Sequence, residues 1–284
     1  KIFKSLKIII FMKPLKIFLA DLTYDTITLS TDVFPLNVGF IGSYTKAQFG
    51  SNVEIKLFKY IQKLEDELER SPPDILGLSN YAWCYRLSRE MSKIFLKLNP
   101  NGIVVWGGPN FPLDLPSQER FFRDNSVIDV YVPVEGEVGF VNVVKKALEV
   151  KSKDEFRNKM LEEPIDGCIT RLKNGKLQYS TAPIRTKQLD EIPSPYTSGL
   201  LDQFFDGKLA PMIQTNRGCP FSCTFCVDGS KLVNKINSFS NERVKQELHY
   251  IAKHVKPNMH SMHISDLNFG MYQKDLEICD YINE

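Results

Sequence analysis

From residue 15 to residue 148, short apolar runs alternate with longer stretches whose apolar positions recur every three to four residues. That alternation is the signature of βαβ units around a mostly parallel sheet. Residues 15–20 predict the first strand, and Pro35, whose ring presets a first helical turn, opens a helix that stops at Gly50. Next come strand 53–58 with helix 61–70, strand 74–79 with helix 85–98, and strand 103–106 with helix 116–122. Strand 128–132 and helix 138–148 complete the set. The fold class expected is α/β, with an amino-terminal doubly wound sheet of flavodoxin-like or Rossmann-like type. Such sheets take ligands at the carboxyl ends of their strands, where strand order reverses.

Beyond residue 150 the pattern changes. A charged segment leads to two short runs, 168–172 and 177–180, around Asn174-Gly175, a hairpin dipeptide whose two turn positions both call for positive φ. Pro183, Pro193 and Pro195 then predict an extended linker. A strand at 211–215, a cysteine-rich loop, a helix at 242–254 capped by Ser240 or Asn241, a strand at 261–265 and a helix from about Gln273 follow. On that helix Leu248 and Ile251 face inward beside Glu247. This order opens a second parallel sheet or barrel, too short to close a (β/α)8 barrel, which takes about 250 residues. The expected division is 12–150, an amino-terminal sheet domain; 151–205, a linker with a hairpin; and 206–284, the start of a barrel. Neither an internal repeat nor a low-complexity tract interrupts it.

A net charge of +2 over 284 residues offers no field that would draw nucleic acid or an anionic membrane. No run approaches the roughly 18 consecutive apolar residues of a membrane span. The apolar start Ile8-Ile9-Ile10-Phe11 is short and lacks a small-residue cleavage site. A cytoplasmic protein is expected, with Met12 as the natural start and with the later part of the barrel missing.

The six cysteines carry the chemistry. Cys84, Cys168 and Cys279 stand alone, and Cys84 reads as a small core thiol. Cys219, Cys223 and Cys226 form C-x3-C-x2-C directly after a strand. Three thiolates on one loop can ligate three irons of a [4Fe–4S] cube and leave the fourth open. Zinc is the alternative, with a fourth ligand from His249, His254, His260 or His263. In the first region the strand-end loops Asp21-Leu22-Thr23, Ser79-Asn80-Tyr81, Gly107-Gly108-Pro109 and Glu135-Gly136-Glu137 are candidate ligand contacts. Neither G-x-G-x-x-G after the first strand nor a P-loop occurs. Trp106 reads as packing, and residues 59–70 as a solvated helix face.

The loop from Gly218 to Cys226 resembles the signature of radical S-adenosylmethionine (SAM) enzymes, with Phe225 as its aromatic residue and Gly218-Cys219-Pro220 as its lead-in. Asp266-Leu267-Asn268-Phe269 looks like a further segment of those enzymes. Residues 73–79, 104–109 and 135–137 are similar to the cobalamin-binding domain that precedes the barrel in the B12-dependent subgroup. The resemblance implies a [4Fe–4S] cluster on Cys219, Cys223 and Cys226, whose open iron binds SAM for reductive cleavage to a 5′-deoxyadenosyl radical. It implies SAM contacts from Phe225, Asp266 and Asn268, and cobalamin contacts from Ser79, Asn80, Gly107, Gly108, Pro109, Glu135, Gly136 and Glu137. D-x-H-x-x-G is absent and all four histidines lie after residue 248, so no histidine of this domain can be the lower ligand of a bound cobalamin; the resemblance implies a base-off, His-off cobalamin, or a domain that has lost its cofactor.

The function implied is a cobalamin-dependent radical SAM enzyme that transfers a methyl group to an unactivated centre. Its substrate would be a small or lipid-like molecule, and its electrons would come from a donor such as flavodoxin or ferredoxin. The alternatives are a radical SAM enzyme without cobalamin, performing cyclisation or another rearrangement, and a non-catalytic zinc or iron–sulfur module. A methylthiotransferase is disfavoured, because its extra cluster needs three cysteines in the first domain and only Cys84 lies there.

Overall fold

In the computed structural model, which describes residues 13–26, 28–180, 185–226, 228 and 233–283, five parallel strands carry the first region. They are β1 (Leu15–Thr23), β2 (Val53–Tyr60), β3 (Ile75–Ser79), β4 (Ile103–Gly107) and β5 (Val130–Val132). Met12, the apolar start at 8–11 and Pro183 lie outside the described residues. The order β2, β1, β3, β4, β5 is of flavodoxin-like type, with its reversal between β1 and β3. β1 and β3 are buried on both faces, which explains their near-continuous apolar sequence.

Helices cover both faces of the sheet. On one side α1 (Leu36–Phe49) and α5 (Gly136–Glu149) pack Val38, Phe40, Phe140 and Val144 against Ile17, Leu19 and Val105. On the other, α2 (Ile61–Arg70), α3 (Tyr85–Leu98) and α4 (Leu115–Asp124) bring Leu64, Phe95 and Phe122 onto Phe18, Leu76 and Trp106. Trp106 is buried packing, as its strand position implied.

The hairpin of β6 (Ile169–Arg171) and β7 (Leu177–Tyr179) adds two antiparallel strands beyond β5, making a seven-stranded sheet. Its turn differs from the expected type. Only Gly175 has positive φ, and its N–H bonds Leu172 O at 2.8 Å, so the chain reverses one residue earlier than Asn174-Gly175 suggests. A buried carboxylate holds this edge. Asp129 accepts from Val104 N–H at 2.9 Å and, at 2.8 Å, from Nη1 of Arg157 on the short helix α6 (Phe156–Met160), and its carbonyl accepts from Arg171 N–H at 2.7 Å.

The stretch expected as an extended linker is instead built into the core. Leu189, Ile192, Tyr196, Leu201 and Phe204 are buried in the same cluster as α1 and α5. Phe34 stacks among Tyr196, Phe204 and Phe205. Beyond it, β8 (Met212–Ile213) and β11 (His263–Ile264) pair in parallel across α7 (Asn241–His254), forming a βαβ unit. Ser240 caps α7 through the N–H of Arg243. Glu247 of α7 is buried, accepting from Ser194 Oγ at 2.7 Å and Arg243 Nε at 2.9 Å, so the helix is tied to the connecting segment. α8 (Gln273–Asn283) packs on α7. The short antiparallel pair β9 (Asn216–Arg217) and β10 (Asn237–Ser238) brackets the cysteine loop.

Candidate functional site

A cavity of about 970 Å³ opens where the carboxyl ends of β1 to β5 face the stretch leading into the cysteine loop. The first region contributes Ser79, Gly107, Gly108, Pro109, Glu135, Gly136 and Glu137 to its wall, all expected as ligand contacts. The second contributes Gln214, Asn216, Arg217, Gly218, Ser265 and Leu267. The volume lies at the top of the usual range for small-molecule sites, about 300–1,000 Å³. None of the four histidines lines it.

Asn80 is absent from that wall and fully buried. Its Nδ2 donates to Asn110 O at 2.6 Å and to Tyr131 Oη at 3.1 Å, and its N–H donates to Gly107 O. Its role is to hold the glycine loop from behind. A Cβ on Gly108, where φ is +128°, would stand 2.7 Å from Asn80 O, so the close packing of these two loops requires glycine there. Cys84 likewise lies outside the cavity, its thiol hydrogen-bonded to Ser79 O at 3.3 Å.

Lys59 is not on a solvated helix face, contrary to expectation. It is the penultimate residue of β2, is 1% exposed and donates to Asp21 Oδ2 at 3.0 Å, and both residues reach the cavity wall. The sequence pattern hid this pair because Lys59 lies two residues before a polar, highly charged helix. Beside it, Asn37 Nδ2 donates to Ser79 Oγ at 2.9 Å, and Tyr81 stacks on the exposed Trp83 at the rim.

Glu135 and Glu137 are already engaged by cations from the rest of the chain. Glu135 accepts from Arg185 Nε and from Thr186 N–H, each at 2.8 Å, and Glu137 accepts from Arg217 Nη2 at 2.7 Å. Arg217 immediately precedes Gly218-Cys219. The acidic loop therefore joins the sheet to the cysteine loop, a role the motif alone did not reveal.

In the cysteine loop, Gly218 has φ +103°, and a Cβ there would lie 2.3 Å from Lys235 O. Cys219 is half-buried, its N–H bonded to Val233 O at 3.1 Å and its Sγ accepting from Asn268 Nδ2 at 3.1 Å. Cys223 and Cys226 are exposed free thiols, and Phe225 is 92% exposed and outside the cavity wall. Three unpaired thiols within eight residues suit an iron–sulfur cluster chemically. Among the described residues, though, no group of three or more His, Cys, Asp or Glu side chains is gathered as a metal site.

Asp266 does not offer a free carboxylate. Oδ1 accepts from the N–H groups of Thr215 and Asn216 at 2.7 and 3.2 Å, and Oδ2 accepts from Thr215 Oγ1 and from Asn216 Nδ2. Burial pushes its carboxyl above the usual carboxylate range, against the hydrogen bonds from Thr215 and Asn216. It fastens the strand end to the start of the cysteine loop, and of its neighbours Ser265 and Leu267 line the cavity.

No protein-family model matches the chain. It is 29% identical over 266 residues to the cobalamin-dependent radical SAM methyltransferase TokK of Streptomyces tokunonensis, an alignment covering 88% of this chain and 36% of the relative. It is 31% identical over 219 residues to a 2-(S-pantetheinyl)-carbapenam-3-carboxylate methyltransferase of Streptantibioticus cattleyicolor, covering 72% of this chain and 29% of that protein. The chain thus spans about a third of the length of these curated relatives. The solved structure of the cobalamin-dependent SAM radical enzyme OxsB, with aqua-cobalamin and SAM bound, superposes with a TM-score of 0.66 at 21% identity. That match covers 95% of this chain and 36% of OxsB, and it establishes the α/β fold. No helix among the described residues is long and apolar enough to cross a membrane.

Proposed function

Because this chain is a homologue, over most of its length, of the cobalamin-dependent radical SAM methyltransferases, we propose that it carries the cofactor-binding part of such an enzyme. The activity proposed is reductive cleavage of S-adenosylmethionine to a 5′-deoxyadenosyl radical, used for methyl transfer to an unactivated centre of a small or lipid-like substrate. What carries the reading is the shared cavity, walled by the strand-end loops on one side and by the approach to Cys219 on the other.

When bound, a [4Fe–4S] cluster supplies the electron for that cleavage and a cobalamin carries the methyl group. Cys219, Cys223 and Cys226 are the proposed cluster ligands, which requires the loop to draw its two exposed thiols toward Cys219. The Asn268 amide, already donating to Cys219 Sγ, would bias the cluster potential, since hydrogen bonds to sulfur are one of its determinants. Ser79 and the Gly107-Gly108-Pro109 loop are the residues that would hold a cobalamin, and none of the four histidines lines that wall to serve as a ligand. Phe225 and Asn268 are proposed beside SAM, and Asp266 acts from behind by fastening Thr215 and Asn216. A flavodoxin or ferredoxin in the cytoplasm would supply the reductant.

The test is anaerobic reconstitution of the chain with iron, sulfide and hydroxocobalamin, followed by the optical spectrum of the desalted protein. A retained base-off cobalamin beside an iron–sulfur absorption is expected. A cluster without cobalamin removes the methyl-transfer reading and leaves a radical SAM protein. Zinc in place of iron overturns both.

A further inference from the structure

Arg217 occupies an unusual place: it ends the short strand β9, lines the cavity, and directly precedes the glycine and cysteine that begin the cluster loop. Its side chain is 12% exposed. Nη2 donates to Glu137 Oε1 at 2.7 Å, Nη1 lies 3.7 Å from Glu135 Oε2, and Nε donates to Gln214 Oε1 at 2.8 Å. The guanidinium sits over the Phe40 ring at 5.2 Å from its centroid.

A second cation closes the circuit. Arg185 Nε donates to Glu135 Oε1, and its Nη1 donates to Lys235 O, both at 2.8 Å. Lys235 O is the atom that bars any side chain at Gly218, and Val233 O, two residues earlier, receives the Cys219 N–H. Strand β9 and the segment just before β10 are therefore tied to one acidic pair at the amino terminus of α5. Glu135, Gly136, Glu137, Arg185, Arg217 and Gly218 all line the cavity, so an occupant presses on the same groups that position Cys219.

We propose that Arg217 is a positioning residue: through its ion pairs with Glu137 and Glu135 it transmits occupancy of the cavity to the backbone that carries Cys219. This rests on the cobalamin reading of the cavity. An occupant that displaces water from the wall strengthens the charge pairs by lowering the local dielectric, and firmer pairs hold Arg217, Gly218 and Cys219 more tightly. The coupling is reciprocal, as linkage requires, so an ordered cysteine loop also favours the occupied cavity.

Amide hydrogen exchange of the cluster-loaded chain, followed by mass spectrometry with and without hydroxocobalamin, tests this over residues 214–226. In the wild type, hydroxocobalamin is expected to slow exchange at Gly218 and Cys219. Arg217→Met, compared at a hydroxocobalamin concentration that saturates it, is expected to lose that ligand-dependent slowing and to bind hydroxocobalamin more weakly, and Arg217→Lys, which keeps the charge, to restore part of both. A purely structural role would raise exchange equally with and without ligand, leaving the difference intact, and that result overturns the proposal. So does a wild type that binds hydroxocobalamin with no change at these amides. A wild type that takes up no hydroxocobalamin removes the cobalamin reading and this inference together. Should Arg217→Met not fold, Glu137→Gln carries the same comparison, because it removes the closer carboxylate and leaves Arg217 beside Glu135.

Discussion

Four of the six thiols of this chain sit at two chemical extremes. Burial pushes the Cys84 thiol up to about 11 and the Cys168 thiol up to about 12, whereas Cys223 and Cys226 face solvent. Alkylation needs thiolate and access, so in cluster-free protein near pH 8 iodoacetamide is expected to modify Cys223 and Cys226 first and to spare Cys84 and Cys168. Peptide mapping by mass spectrometry reads the order, and early modification of Cys84 would contradict its buried position. The same shift has a thermodynamic consequence. A raised native pKa means that the neutral Cys84 thiol stabilises the fold fully below its ordinary value of 9.0, and that this contribution is lost as pH rises through about 11. Cys84→Ala should therefore flatten the decline in melting temperature across that alkaline window.

At the scale of elements, the ends of strands matter more than their middles. Asp266 gathers the N–H groups of Thr215 and Asn216 and two of their side chains at the junction of β8, β9 and β11. Asp266→Ala leaves those buried donors without partners, a cost of about 1–3 kcal/mol, so thermal unfolding of cofactor-free protein is expected to shift down. An unchanged melting temperature with weakened SAM binding would instead return Asp266 to direct contact with the ligand. The elements themselves were readable: helices at 61–70 and 85–98 match α2 and α3 because their apolar positions recur at helical spacing. Asn80 and Glu137 were legible as members of strand-end loops. Which way each side chain turned was not, since that depends on partners 30 to 80 residues away.

Across the whole molecule one apolar cluster runs from Ile17 and Leu19 of the sheet through Tyr196 and Phe204 to Leu248 and Ile278 of α7 and α8. Regions that share a core lose it together. Unfolding in urea is expected to follow one transition, with far-ultraviolet circular dichroism and tryptophan fluorescence, which includes the buried Trp106, coinciding. Separated midpoints would show the second region melting on its own.

By itself, the order of apolar runs determined an α/β chain, the hairpin near Asn174, and the thiols available to a metal, because hydrophobic period and cysteine spacing are local properties. Tertiary structure alone decided that Leu189, Ile192, Tyr196, Leu201 and Phe204 are core, that Lys59 is buried against Asp21, and that Glu135 and Glu137 are bound by Arg185 and Arg217. The physical reason is that a charged or proline-rich segment reads as solvated until a partner neutralises or covers it. Those partners arrive only when distant stretches of the chain fold against one another.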